Sequence, residues 1–383
     1  MSSLVSISRI TPVVLLLLVP RLAQAQTRWA SVSVGFDHVC ALDAAGRAFC
    51  FGYNHSAQLG GHTPQKCGII GESGATGCYP TASERTPVLA ANGMRFASIS
   101  AGEYVTCAID PQQRAWCWGD PMGDPASYRD GCLRGRPCSY SPVPLDPARR
   151  YAAMDARSRC FAATDGSARC WGTRHGEGGD VSTPWSVSVA AVSGDPEYNA
   201  RTFCAVARNG RAYCQGEAAY GVPGTQVSGG PVELAAPLAQ VAVQYTWVCA
   251  LDRVGQAYCW GAAASADPHG GDARPGFELC NRYGSPTRCV RTPQPVTGGA
   301  RYRSITPMAR STMPVIHEVV GLTADGRAFV WGEDRVARPW RPEHRWASVS
   351  GGRWGHCGVT TAGELFCWGE NPHEAVQGRV PHP

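Results

Sequence analysis

Apolar and polar positions alternate in short bursts along this chain, and the bursts come in pairs joined by a glycine. Residues 38–52 read HVCALDAAGRAFCFG. Two alternating runs flank a three-residue loop, Ala44–Gly46, whose last position suits a left-handed residue. This predicts a β-hairpin in which Asp43 faces Arg47 and Cys40 falls opposite Cys50. Opposed residues at a non-hydrogen-bonded site lie about 4.5 Å apart at Cα, within reach of a disulfide. The two cysteines are therefore expected to staple the arms.

The same pattern returns from Cys107 to Cys117, Cys160 to Cys170, Cys204 to Cys214, Cys249 to Cys259 and Cys357 to Cys367. A further copy runs from Val320 to Val330, where both cysteines are valine. Losing the two together is what a disulfide predicts, because one partner alone would be a free thiol. A zinc site is the rival reading, but the chain has no close Cys-x-x-Cys pair. Six of the seven copies have glycine in the turn; the second has Gln113.

Upstream of each hairpin an aromatic or aliphatic residue is followed three places later by an aliphatic one, as in Trp29–Val32, Phe96–Ile99, Tyr302–Ile305 and Trp346–Val349. Before six of these comes a proline and a β-former, as in Pro87-Val88 and Pro142-Val143. Each unit reads as four short strands: a proline strand, an aromatic strand and two stapled arms. Seven four-stranded units of about fifty residues predict an all-β, seven-bladed propeller filling residues 26–383 as one domain. The first unit lacks a proline strand. The C-terminal GRVPHP is expected to supply it, as the first strand of blade 1.

These repeats resemble RCC1 (regulator of chromosome condensation) repeats, with CALDAAGRAFCFGYNHSAQLG, residues 40–60, as the fullest copy. Phe51 stands where the family has tryptophan, and Ala57 replaces a glycine of its Asn-x-x-Gly-Gln-Leu-Gly tail. The resemblance implies the seven-bladed fold. It implies less about function. No residues match those by which nuclear members act as exchange factors for a small GTPase, or by which a secreted bacterial member inhibits an enzyme.

The chain begins with a basic residue, Arg9, an apolar run from Pro12 to Pro20 and an A-x-A site at Ala23–Ala25. That is the layout of a signal peptide spanning 1–25 and cut near Ala25. The run is too short to span a bilayer. The 18 cysteines suit an oxidising compartment, so a secreted or periplasmic, monomeric protein is expected. The net charge is +5, Lys66 is the only lysine, and no basic stripe stands out, which argues against nucleic acid.

Loop lengths vary unevenly. The hairpin turns never change. The distance from Gly52, Gly119 and Gly261 to the proline of the next proline strand (Pro87, Pro142 and Pro295) is 35, 23 and 34 positions, against 7 from Gly332 to Pro339. The stretch between the aromatic strand and the first arm is also long before Cys204 and Val320. In an antiparallel blade these two kinds of connection emerge on the same side, so one face of the disc is expected to carry the variable loops and the partner. Each large insertion holds a cysteine pair, and local bridges Cys67–Cys78, Cys132–Cys138 and Cys280–Cys289 are predicted there. Such staples would preorder a binding loop or protect it from proteolysis. The candidate contacts on this face are Tyr79, Tyr128, Arg134, Tyr140, Tyr198, Trp247, Phe277, Tyr283, Met308 and Trp354, because aromatics and arginine dominate interface hot spots.

Catalytic signatures are weak. Asp37 and His38 lie near Ser31 and Ser33, but there is no Gly-x-Ser-x-Gly, phosphate loop or HExxH. GDPMGDP and HGGDAR lack the regular oxygen ligands of a calcium loop. No catalytic, metal or cofactor residue is assigned. The expected function is a secreted, non-catalytic scaffold for protein recognition. The alternative is a carbohydrate or cell-envelope binder; an enzyme or a secreted enzyme inhibitor stands behind both.

Overall fold

A computed structural model describes residues 28–61, 65–70, 75–80, 83–120, 130–131, 137–171, 180–182, 189–195, 202–215, 231–232, 234, 236–244, 247–262, 278–282, 285–310, 316–352, 355–369 and 378–383. Seven antiparallel sheets follow one another around a ring, making a seven-bladed β-propeller. Blade 1 shows the plan. Trp29–Val34 is innermost, the hairpin arms His38–Asp43 and Ala48–Tyr53 come next, and Ser83–Leu89 is outermost. The innermost strand of each blade packs against that of the next, and the seventh meets the first.

The hairpin register is the one the cysteine spacing requires. Cys40 faces Cys50, and five such pairs, at a sequence separation of 10, have Cα atoms 4.1 Å apart. Cys160 faces Cys170 across the third hairpin and is disulfide-bonded. Val320 faces Val330 at the same register in blade 6, and Val320 is fully buried. Replacing both valines by cysteine is expected to form a seventh hairpin bridge without reductant and to add about 2–3 kcal/mol of stability. Thiol titration and the shift in melting temperature check this; two free thiols in the folded variant would refute it.

The i, i+3 spacing of the aromatic strand has a physical cause. A regular strand would put those side chains on opposite faces. In six inner strands the ladder slips between the first and third residues, as at Trp29/Ser31 and Trp346/Ser348. A bulge inserts one residue and resets the alternation. Trp29 and Val32 thereby both reach the core, at 4% and 6% exposure.

Two expectations about strand order are corrected. The proline strand hydrogen-bonds to the second arm of the hairpin before it, with Cys50 facing Val88 and Val143 facing Cys117. It therefore completes its own blade as the fourth strand from the axis, outermost except where blades 2 and 5 add a short further strand, and a proline there loses no bond to the second arm. The C-terminal strand Gly378–Val380 likewise pairs with Leu365–Gly369 and completes blade 7; it does not start blade 1. Shifting the unit by one strand leaves the sidedness of the loops unchanged. The connections from inner strand to first arm and from second arm to outer strand still share one face.

The opposite face is stitched by a repeated bond. The carbonyl of each hairpin-turn residue accepts from the first inner-strand N–H of the next blade: Phe96 to Gly46 at 2.7 Å, Tyr151 to Gln113 at 2.8 Å, and so on to Trp346 and Gly326 at 2.7 Å. Trp29 donates to Gly363 at 3.0 Å and closes the circle in the same way. Gly46 has φ +79°, and a Cβ there would lie 2.8 Å from the Phe96 carbonyl. Gln113 holds the same left-handed conformation, at φ 64°, as a non-glycine.

The inner strands are latched as well. At the fifth position of the strand, Ser33, Ser193 and Ser350 accept backbone N–H groups of the next blade, from Ala101 at 2.9 Å, Val243 at 3.1 Å and Val34 at 2.9 Å. Ser100 does so from Ala156 at 3.0 Å. Blade 5 has Ala242 at this position. There the flanking Gln240 bonds both the N–H and the carbonyl of Ile305, at 3.0 and 2.8 Å, and Gln244 donates to Met308 at 3.0 Å. The glutamines replace a hydroxyl that blade 5 lacks.

Candidate functional site: the long-loop face

The insertions of blades 1, 2 and 5 lie between the second arm and the outer strand, on one side of the disc. The first forms its own hairpin, Gln65–Ile70 with Ala75–Pro80, in which Cys67 faces Cys78. The second and third add short strands, Asp130–Gly131 and Glu278–Arg282, to the outer edges of their blades. Cys138 and Cys289 in these insertions are disulfide-bonded. Cys132, and the side chains of Cys67, Cys78 and Cys280, lie outside the described residues.

The candidate contact residues divide. Tyr128, Arg134, Tyr198, Phe277, Tyr283 and Trp354 lie outside the described residues. Tyr79 sits on the hairpin opposite Lys66. Tyr140 is half-buried and packs against Ala57 and Cys138. Trp247 and Met308 are core residues, at 1% and 3% exposure. Read from the sequence they fall in the variable loops, but the strands Trp247–Asp252 and Tyr302–Arg310 extend far enough to take them into the ladder.

A group not singled out from the sequence lies at this end of blades 1 and 2. The Tyr104 ring is 6.4 Å from Phe36 and 5.1 Å from His55, and His55 is 5.7 Å from Tyr53. All four are half-buried. Phe36 and Tyr104 lie one and two residues after Gly35 and Gly102, in the same turn of their blades, a shared turn that marks them. At the axis, Arg157 of blade 3 donates to the carbonyls of Val34 at 3.2 Å and of Gly351, tying blade 3 to blades 1 and 7. Beside it Arg159 pairs with Asp120 at 3.7 Å.

His38 does not form a triad. Its Nε2 lies 2.7 Å from Thr106 Oγ1, whose own proton goes to the Gln58 carbonyl at 2.8 Å. The imidazole must therefore donate from Nε2, which fixes the neutral tautomer. Burial, with His55 nearby, lowers its pKa to about 3. Burial also lowers that of His55, against the pull of Glu103. Ser33 is occupied as a latch to Ala101. Among the described residues no cluster of three His, Cys, Asp or Glu could hold a metal ion. The segment Asn54–Gly60 is a wedge between blades 1 and 2. Gln58 and Leu59 are fully buried, and Trp118 donates to the Gln58 carbonyl at 3.0 Å.

The family model described as the regulator of chromosome condensation (RCC1) repeat matches residues 29–58. Among solved structures, Prp20p of Saccharomyces cerevisiae, described with its binding to Gsp1p and histones, is 17% identical. Its TM-score is 0.56, covering 84% of this chain and 80% of that one. Yeast RCC1 (Prp20) bound to Kap60 is 16% identical with a TM-score of 0.56, over 84% and 77% of the two chains. The CRINKLY ectodomain of the Arabidopsis thaliana receptor kinase ACR4 is 15% identical with a TM-score of 0.50, over 93% and 100%. At these identities the likeness is one of fold. Residues 29–58 thus match an RCC1 repeat, the same hairpin recurs in register around the whole ring, and the chain has the fold of an RCC1-like β-propeller.

Proposed function

We propose that this protein is an exported, monomeric and non-catalytic scaffold that binds another protein through its long-loop face. One observation carries the reading. Every large insertion emerges on the same side, while the other side has seven turns of one length bonded to their neighbours. Repeat proteins place variable loops where they bind. The disulfides suit an oxidising compartment, and no helix among the described residues is long and apolar enough to cross a membrane. The leader at 1–25 lies outside the described residues and supports export by its sequence alone. Prp20p, on the same fold, is described as binding Gsp1p and histones, so the architecture serves protein recognition in at least one relative.

The test uses the mature protein and a variant in which residues 62–82 are replaced by a short Gly-Ser turn. Immobilised mature protein is expected to retain a stoichiometric protein from the organism's culture fluid or periplasmic extract, and the variant to lose it at unchanged melting temperature. Equal retention by both, or retention of glycans with no protein, would sink the reading.

A further inference from the structure

The face opposite the long loops carries a ring of arginines, one at each seam between blades. In five blades the residue just before the inner strand's first aromatic is arginine: Arg28, Arg95, Arg150, Arg301 and Arg345. Blades 4 and 5 have Ser188 and Pro237 there. At those two seams the arginine comes from the hairpin turn instead. Arg208 donates to the Thr164 carbonyl at 2.6 Å, and Arg253 to the Arg208 carbonyl at 2.8 Å. All seven are exposed.

Their backbone positions are fixed. The carbonyls of Arg28, Arg150 and Arg345 accept from the hairpin turn of their own blade, at Ala44, Thr164 and Thr361, at 2.7, 2.8 and 2.8 Å. Their charges are not cancelled. None of the seven forms an ion pair with a carboxylate among the described residues. The turn carboxylates Asp43, Asp110 and Asp252 are buried under their own loops, where they accept turn N–H groups. The outer ones, Asp146, Asp165, Asp325 and Glu364, pair with other arginines: Arg149, Arg169, Arg327 and Arg379. Most acids of this face turn inward or pair with other arginines; Glu343 beside Arg345 and Asp165 near Arg208 are the acids that face the ring, so arginine still predominates along it.

We infer that this face docks on an anionic phospholipid surface, with the seam guanidiniums on headgroup phosphates. Each arginine sits at a seam of this face, just before an inner strand or on a hairpin turn, and a full circle of charges fits a plane. A nucleic-acid duplex, being a rod, would meet only part of it. Guanidinium forks match phosphate oxygens in pairs. The most exposed large apolar side chain of the described protein, Val254 at 69%, sits on a turn of this face beside Arg253. An apolar tip among arginines suits an interface with lipid better than one with a purely ionic polymer. The protein would lie on the membrane without crossing it. The inference does not rest on the loop-face reading, which concerns the other side of the disc.

The experiment is co-sedimentation of the mature protein with vesicles of phosphatidylcholine alone, or mixed in equal parts with phosphatidylglycerol. Binding is expected only to the mixed vesicles and should fall steeply as salt is raised. Each arginine near an anionic surface is worth roughly fivefold in partitioning, so Arg208→Gln/Arg253→Gln/Arg301→Gln should weaken binding on the order of a hundredfold. Arg28→Gln/Arg95→Gln/Arg150→Gln, on the other half of the ring, should do the same, which guards against a local folding defect in one triple variant. Equal binding to both vesicles, unchanged binding by both variants, or retention on heparin or duplex DNA without vesicle binding would overturn it.

Discussion

Complete reduction of the folded protein is expected to unfold it at temperatures the oxidised form survives. Each described staple closes a loop of sequence separation 10. In the chain-entropy model such a crosslink contributes about 2–3 kcal/mol by restricting the unfolded chain. The five loops do not overlap, so their contributions add to roughly 10–15 kcal/mol. That equals or exceeds the total stability of an ordinary domain, about 5–15 kcal/mol. The sulfurs are buried and would still pack as thiols, so what is lost is the constraint on the unfolded state. Thermal unfolding with and without a strong reductant, followed by circular dichroism, measures this. A reduced chain that melts with the oxidised one would show that packing alone holds the blades.

Trp247→Ala is expected to cost about 3–5 kcal/mol of stability. The ring is buried to 1% within the core of blade 5 and its neighbours. Truncation removes its contacts and leaves a cavity that rigid strands on both sides cannot close. Urea unfolding should show the loss as a lower midpoint with an unchanged slope. A change under 1 kcal/mol accompanied by loss of partner binding would instead return Trp247 to the surface role its sequence position suggested.

What could be read from the residues follows from where the information is local. The Cys40–Gly46–Cys50 spacing specifies a turn, a register and a crosslink within one hairpin, and the structure has all three. The Trp29–Val32 pairing marked the inner strand, although the bulge that makes it work is visible only in the ladder. The proline strand was assigned to the wrong neighbour because Pro87-Val88 lies between two hairpins and its sequence does not say which arm it bonds. The edge of a sheet is a tertiary fact. Trp247 and Met308 were misplaced for a related reason, since the ends of strands depend on partners across the sheet. The seam arginines lie far apart in sequence and become a group only when the ring brings consecutive turns side by side. Arg208 and Arg253 fill the seams that Ser188 and Pro237 leave, a substitution that no linear pattern displays.

The seam between blades 7 and 1 is bonded as the other six are, through Trp29 to Gly363 and Val34 to Ser350. Mechanically the molecule is a hoop whose last joint carries the same turn-to-strand backbone bond as the other six. A gene rearranged so that synthesis started at another blade would reach the same circle, because nothing in the closure depends on where the polymer was opened.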